Sequence, residues 1–225
     1  TLSENSRIRG SGSARTGLDY YITEKDIVTI SGKYGYGSWG STAISKTENG
    51  LGKNDVIFNP EYYVSDGESQ SVYQHFAGDL NYMKKFNNNG HELQIYTNYS
   101  ATQDKSLDYY STYDTDSIYN NIGKPENEYR TKEDGSGNMF LAKADYVYPI
   151  TEKAKLEAGY QLRTSKTTND YRYQTMQSEW IDDPTQHNPY VSTMNVQSGY
   201  VIFSNYFKTL GYQLGLRTEY TDRVF

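Results

Sequence analysis

Cysteine is absent from this chain, so it has no disulfide framework, zinc-thiolate site or thiol nucleophile. Long hydrophobic runs are also missing. The longest unbroken aliphatic or aromatic stretch is Tyr200-Val201-Ile202-Phe203, and the mean hydropathy is -0.87. A transmembrane helix, which needs roughly 18 or more consecutive apolar residues, is thereby excluded. Basic excess is lacking as well: the net charge is -6 and the pI near 5.1, which argues against nucleic acid as the main partner. The chain opens Thr1-Leu2-Ser3, and no charged-then-apolar signal peptide follows. What is abundant is tyrosine, which supplies 25 of the 34 aromatic residues. Such a content of rings excludes disorder, because disordered chains are poor in them.

The dominant pattern has period two. In Tyr212-Gln213-Leu214-Gly215-Leu216-Arg217-Thr218-Glu219-Tyr220-Thr221, one face reads Tyr, Leu, Leu, Thr, Tyr and the other Gln, Gly, Arg, Glu, Thr. Strict alternation predicts a strand with one apolar and one polar face. The same reading predicts strands at 14–22, 27–37, 71–84, 91–101, 139–148, 155–164, 196–206 and 212–221. The seventh is apolar on both faces. All five prolines lie outside these spans, as a hydrogen-bonded ladder requires. Short turns at 23–26, 85–90, 149–154 and 207–211 alternate with long polar segments at 37–70, 101–138 and 165–195, read as loops. Ile22-Thr23-Glu24-Lys25 recurs as Ile150-Thr151-Glu152-Lys153 in two of the short turns.

A soluble sandwich turns its apolar face inward, and a membrane barrel turns it to lipid. Three features favour the barrel. The runs are about 10 to 14 residues long, against about 5 to 6 for an ordinary strand. Ten residues tilted by about 40° rise roughly 25 Å, the height of a lipid-facing band. Tyr20, Tyr82, Tyr146, Tyr148, Tyr206 and Tyr212 gather near the short turns, where an interfacial girdle belongs. The polar faces carry charges in mid-strand, such as Lys143 with Asp145 and Arg217 with Glu219. These would be costly in a dry core. The expected fold is an all-β antiparallel transmembrane barrel of the bacterial outer membrane. Leu18, Ile30, Leu80, Ile95, Leu156, Leu214 and Leu216 are expected on the lipid face, opposite Asp19, Asp79, Lys143, Glu157, Arg217 and Glu219.

Short turns of such barrels face the periplasm and long loops the exterior. The first and last strands would then both end outside, so residues 1–225 are expected to be an internal piece of a larger barrel. The stretch Gly211-Tyr212-Gln213-Leu214-Gly215-Leu216-Arg217-Thr218-Glu219-Tyr220-Thr221 resembles a strand of the TonB-dependent-receptor-like outer-membrane β-barrel family. Gly17–Thr23, Ala144–Ile150 and Lys155–Tyr160 resemble other blocks of that family. The resemblance implies a barrel of roughly 22 strands, about eight of them here, with a plugged lumen. It implies TonB-dependent uptake of a nutrient, with an energy-transducing periplasmic protein as partner through a plug domain outside these residues. Two other readings stay open: a soluble all-β glycan-binding module, and a small complete eight-stranded outer-membrane barrel.

Catalytic signatures are sparse, and no enzymatic role or cofactor is expected. His75, His91 and His187 have no metal-ligand spacing, and no nucleophile elbow, phosphate loop or zinc-hydrolase motif occurs. Asp114–Ser117 and Asp134–Asn138 lack the closing glutamate of a calcium loop and read as polar turns. Asp182 and Asp183 beside His187 read as an acidic exposed loop. The tyrosines of the long segments are the better hint, since a rigid ring with a hydroxyl suits capture of a ligand. Tyr171, Tyr173, Trp180 and Tyr190 are the expected stacking surfaces, with Asp182 and Asp183 as hydrogen-bond acceptors. The three long segments hold 17 acidic and 8 basic residues, a field suited to a neutral or cationic extracellular ligand. The expected surroundings are outer-membrane lipid, with no nucleic acid.

Overall fold

Alternating β-branched and aromatic side chains start the strands near the short turns, and backbone pairing continues them through the polar segments. The computed structural model describes residues 1–53 and 56–225. Its strands are β1 (Leu2–Tyr21), β2 (Asp26–Lys53), β3 (Val56–Lys85), β4 (Glu92–Thr115) and β5 (Asn127–Pro149). They continue as β6 (Lys155–Met176), a short β7 (Trp180–Asp182), β8 (Asn188–Phe207) and β9 (Leu210–Val224). All pair antiparallel in one sheet of order β1-β2-β3-β4-β5-β6-β8-β9, with β7 folded back on β6. Among the described residues β1 pairs only with β2 and β9 only with β8, so the sheet is open.

All eight expected strands are present, but each is far longer than the apolar alternation shows. Residues 37–53 and 59–70, 101–115 and 127–138, and 165–176 with 188–195 are paired strand, not loop. Asp134–Asn138 accordingly lies inside β5, and Asp116 caps the tip after β4 by accepting from the N–H groups of Ile118 and Asn120 at 3.0 and 2.8 Å. Three prolines also sit in strands, Pro149 as the last residue of β5. Pro60 lies at the register shift between Asn49 and Leu51, next to Asn59 at φ 50°, and Pro189 opens β8 where its second side has no neighbour yet.

The repeated Ile-Thr-Glu-Lys segment makes the same turn twice. Thr23 Oγ1 accepts from the N–H groups of Lys25 and Asp26, at 3.1 and 3.0 Å. Thr151 Oγ1 accepts from those of Lys153 and Ala154, at 3.2 and 3.0 Å. A threonine hydroxyl satisfying the amides two and three residues on is a compact way to reverse a strand. Asp26 adds an interstrand anchor: its carboxylate accepts from Thr23 (2.8 Å), Tyr82 (2.8 Å) and Lys84 (2.9 Å).

Register fixes the faces, because directly opposed residues point the same way. Leu18 pairs with Ile30, Ile30 with Leu80, Ile95 with Tyr82, Leu156 with Phe203, and Phe203 with Leu214. The expected apolar set therefore shares one face. Asp19, Asp79, Lys143, Glu157, Arg217 and Glu219 fall on the other. Leu214 and Leu216 are 68% and 77% exposed, while Val64 and Ala154 are the buried hydrophobic residues. A dry core, which a soluble module would need, is not formed by the described residues. One expected girdle member is misplaced: Tyr206 opposes Gly211 on the polar side, whereas Tyr20, Tyr82, Tyr146, Tyr148 and Tyr212 face outward. A second aromatic row, Tyr34, Phe76, Tyr99 and Phe140, lies on the same outer face farther from the turns, with Tyr34 opposite Phe76 and Tyr99 opposite Phe140. From Tyr148 to Phe140 the strand climbs roughly 20 Å, so the two rows bracket a lipid band.

Tyrosine and glycine are partners on the inner face. Tyr73 lies across Gly37, Tyr200 across Gly159 and Tyr206 across Gly211, each directly opposite in the ladder. A Cβ at any of the three glycines would run into the ring. The ring covers backbone that glycine leaves bare, which is how aromatic residues restore stability to glycine positions in sheets.

Candidate ligand-binding face

Above the Tyr34–Phe76–Tyr99–Phe140 row the sheet continues as a paired wall, and the expected capture residues lie on both of its faces. Tyr171 and Tyr173 of β6 face inward, as does Tyr190 of β8, which opposes Asn169. They join two tyrosines from neighbouring strands. Tyr110 stacks on Tyr129 at 5.0 Å and 22°, and Tyr129 on Tyr173 at 5.1 Å and 27°. Gly67 opposes Tyr110 and leaves room for its ring. This row crosses β4, β5 and β6. Burial, then the neighbouring rings Tyr110 and Tyr173, raises the Tyr129 pKa. For Tyr171 the causes are burial, then Tyr173, then the carboxylates of Glu133 and Asp108.

Trp180 and Asp182 lie on the opposite, outer face. The tight return of β7 pairs Trp180 with Met176 and Asp182 with Gln174, which carries both away from Tyr171 and Tyr173. There Trp180 packs edge-on against Tyr109 at 5.8 Å, and the Arg130 guanidinium lies 4.3 Å from its ring centroid. Arg130 donates to Gln174, and Gln174 donates to Asp182. Tyr109 donates to Glu128; burial and that carboxylate push its pKa up to about 12. The cluster is internally satisfied, so Trp180 and Asp182 are engaged in packing the hairpin.

Asp183 has another duty. Its carboxylate accepts from the Thr185 N–H and hydroxyl at 2.9 and 2.6 Å and from Gln186 at 3.3 Å, which lowers its pKa. His187 reaches Asp170 (2.7 Å), which also accepts from Arg172 (2.6 Å), so His187 is not joined to Asp182 or Asp183. Among the described residues no group of three His, Cys, Asp or Glu is placed to hold a metal ion. His91 stacks on Phe86 at 4.3 Å and bonds Tyr146 at 2.7 Å beside the short turn. His75 is half-buried on the inner face with Asp79. Sequence reasoning did not connect Tyr110 and Tyr129 with Tyr173; their shared parity was the available signal, once the strands are known to continue.

The family model described as outer membrane protein beta-barrel family matches residues 84–225. No curated protein matches the sequence. Among solved structures, a crystal structure of lipopolysaccharide binding protein aligns at 7% identity over 94% of this chain and 77% of that one. Its TM-score of 0.17 gives it no bearing on fold or ligand.

Proposed function

The chain belongs to the outer membrane protein beta-barrel family of the bacterial outer membrane, and from this we propose that it forms part of the wall of a receptor for TonB-dependent nutrient uptake. On this reading the apolar face meets outer-membrane lipid, and the inner face meets an extracellular ligand. The energy-transducing periplasmic protein acts through a plug domain outside these residues, and the protein is a binding and transport component, not an enzyme. The carrying observation is the row Tyr110–Tyr129–Tyr173, with Tyr171 and Tyr190, set on the inner face of a wall rising past the lipid band. A simple adhesin has no need of tyrosines turned inward, whereas a ligand entering a lumen passes them first. The open sheet supports a barrel larger than eight strands.

Cells carrying or lacking this protein, grown on a panel of limiting nutrients, would identify the conditions in which it is required. Under those conditions the energy-transducing protein should be required as well. Replacing Tyr171 and Tyr173 together by alanine should cut uptake roughly three- to tenfold, the scale of about 1 kcal/mol of lost ring contact. Trp180→Ala should leave uptake unchanged at equal surface abundance. Growth that survives without the energy transducer would overturn the energised part of the proposal, and equal uptake by the double tyrosine variant would remove the row as the capture element.

A further inference from the structure

From β3 to β8 the inner face of the wall has an electrostatic character that the outer face lacks, while Arg7 and Arg9 of β1 and Arg223 of β9 point inward at the two margins. Across residues 61–73 of β3, 102–114 of β4, 127–139 of β5, 165–175 of β6 and 188–194 of β8, the inward positions hold Glu61, Asp104, Asp108, Asp114 and Glu133. They hold no lysine, arginine or histidine. Every base of those spans, namely Lys105, Arg130, Lys132, Lys166 and Arg172, points outward. There two of them meet acids, Lys105 with Asp134 (3.4 Å) and Arg172 with Asp170 (2.6 Å).

Three inner carboxylates form a group. Asp104 opposes Gly135 and Asp108 opposes Thr131, while Glu133 opposes Ser106 between them. Glu133 is therefore the diagonal neighbour of both, a separation of about 7–8 Å. Their protein partners are neutral: Asp108 accepts from the Thr131 hydroxyl at 3.2 Å and Glu133 from the Asn169 amide at 2.8 Å. The Asp104 carboxylate overlies Gly135, where a side chain would displace it. Asp104, Glu133 and Tyr190 border a recess of about 270 Å³. Tyr171 stands directly opposite Glu133, and Tyr173 opposite Thr131.

The spacing selects the ligand. A hard metal ion draws its oxygens to within about 2.6 Å of one point, and these carboxylates are too widely set for that. An extended peptide repeats the side chains of one face every ~6.6–6.8 Å, close to the diagonal step of the carboxylates. Lysine and arginine also carry apolar stems and cationic heads that suit tyrosine faces. We propose that this inner face binds an extended cationic peptide, its alternate basic side chains meeting Asp104, Glu133 and Asp108 and their stems crossing Tyr171 and Tyr173. The assignment rests on the reading of the inner face as the external mouth of a receptor. It adds the class of ligand and the residues that recognise it.

The test uses the full chain in phosphatidylcholine bilayers, which add no net charge of their own, and no energy source. The probes are a capped octapeptide alternating lysine with alanine, its glutamate counterpart, and maltoheptaose. The lysine peptide should bind saturably and weaken as salt is raised. Affinity should fall about tenfold in the neutral, near-isosteric variant Asp104→Asn/Asp108→Asn/Glu133→Gln. Asp134→Asn/Asp170→Asn on the outer face should bind like the parent. Should the triple variant fail to assemble, Glu133→Gln alone should show about a threefold loss. The proposal is overturned if the inner-face variants bind as the parent does, if the glutamate peptide binds equally, or if only the neutral sugar binds. Because no energised step is measured, failure of TonB-dependent uptake leaves this result readable on its own.

Discussion

Below and above the row Tyr34–Phe76–Tyr99–Phe140, the same strands distribute charge in opposite ways. In the lower half the outer face carries leucine, isoleucine and aromatic rings, and ion pairs line the inner face: Arg15–Asp79 (3.9 Å), Lys143–Asp145 (2.8 Å), Lys155–Glu157 (3.1 Å) and Arg217–Glu219 (3.1 Å). In the upper half the ion pairs move to the outer face, and from β3 to β8 the inner face keeps carboxylates whose protein partners are neutral, with inward arginines confined to β1 and β9. Lipid tolerates no charge, so between the two aromatic rows only the inner face carries one, and the outer-face pair Asp26–Lys84 (2.9 Å) sits at the turn end beyond the band. Once water reaches both faces, pairing on the outside leaves the inside of β3 to β8 free to hold a single sign. The backbone ladder is indifferent to this exchange and runs through both halves without a register shift from β3 to β9.

The largest expected effect tests this division directly. Leu214→Arg, near the middle of the lipid band, should destabilise the protein by about 2–4 kcal/mol in denaturant titrations in bilayers. Leu107→Arg, on the same outer face but above the band, should cost about 0–1 kcal/mol. Equal costs at the two positions would erase the boundary. A smaller effect separates the two faces within the lower half. Gly159→Ala places a methyl against the Tyr200 ring and the Asp145 carboxylate, and overpacking of that kind costs about 1–3 kcal/mol. Gly32→Ala on the outer face meets nothing nearer than 4.0 Å and should stay within about 0.5 kcal/mol of the parent. The same titrations read both.

The smallest effect concerns the turn end. Asp26 has a pKa lowered to about 2, chiefly by the bond from Lys84, then by Thr23 and Tyr82. A carboxylate whose folded pKa is depressed contributes stability above its unfolded value, near 4, and loses it as pH falls toward 2. The difference in midpoint between parent and Asp26→Asn should therefore be constant above pH 5, shrink as pH falls through 4 toward 2, and vanish only at about pH 1. A difference that persists in acid would mean the asparagine acts through the turn's shape and not its charge.

How far the fold could be read in advance follows from the same division. Strands, their parity and the lipid set from Leu18 to Leu216 were legible, because lipid on one side and water on the other impose contrast at every second residue. The contrast disappears above the Phe76 row. Spans such as Ser65–Ser71 and Thr164–Asn169 pair as strands while both faces are wet, so polar residues occupy both and the period leaves no trace. Tyr206 was misplaced for a related reason: Val201 and Phe203 alternate with Tyr200 and Ile202, and only the two-residue turn at Lys208–Thr209, with Lys208 at φ 56°, decides which pair faces lipid. Trp180 and Asp182 were grouped with Tyr171 by nearness in sequence. The return of the chain at 177–179 puts them behind the wall, and composition carries no mark of that.

From Tyr99 to Thr115, β4 runs another 16 residues beyond the outer girdle, a rise of roughly 40 Å at the usual tilt. Mechanically this is a parapet of ladder-bonded beams. A slack loop absorbs a push at its tip by changing shape, whereas a hairpin paired along its length passes the push down to the bilayer as a tilt of the whole wall. The tips at 116–126 and 177–187 thus act as long levers, held well clear of the headgroups, on a sheet whose fulcrum is the aromatic row.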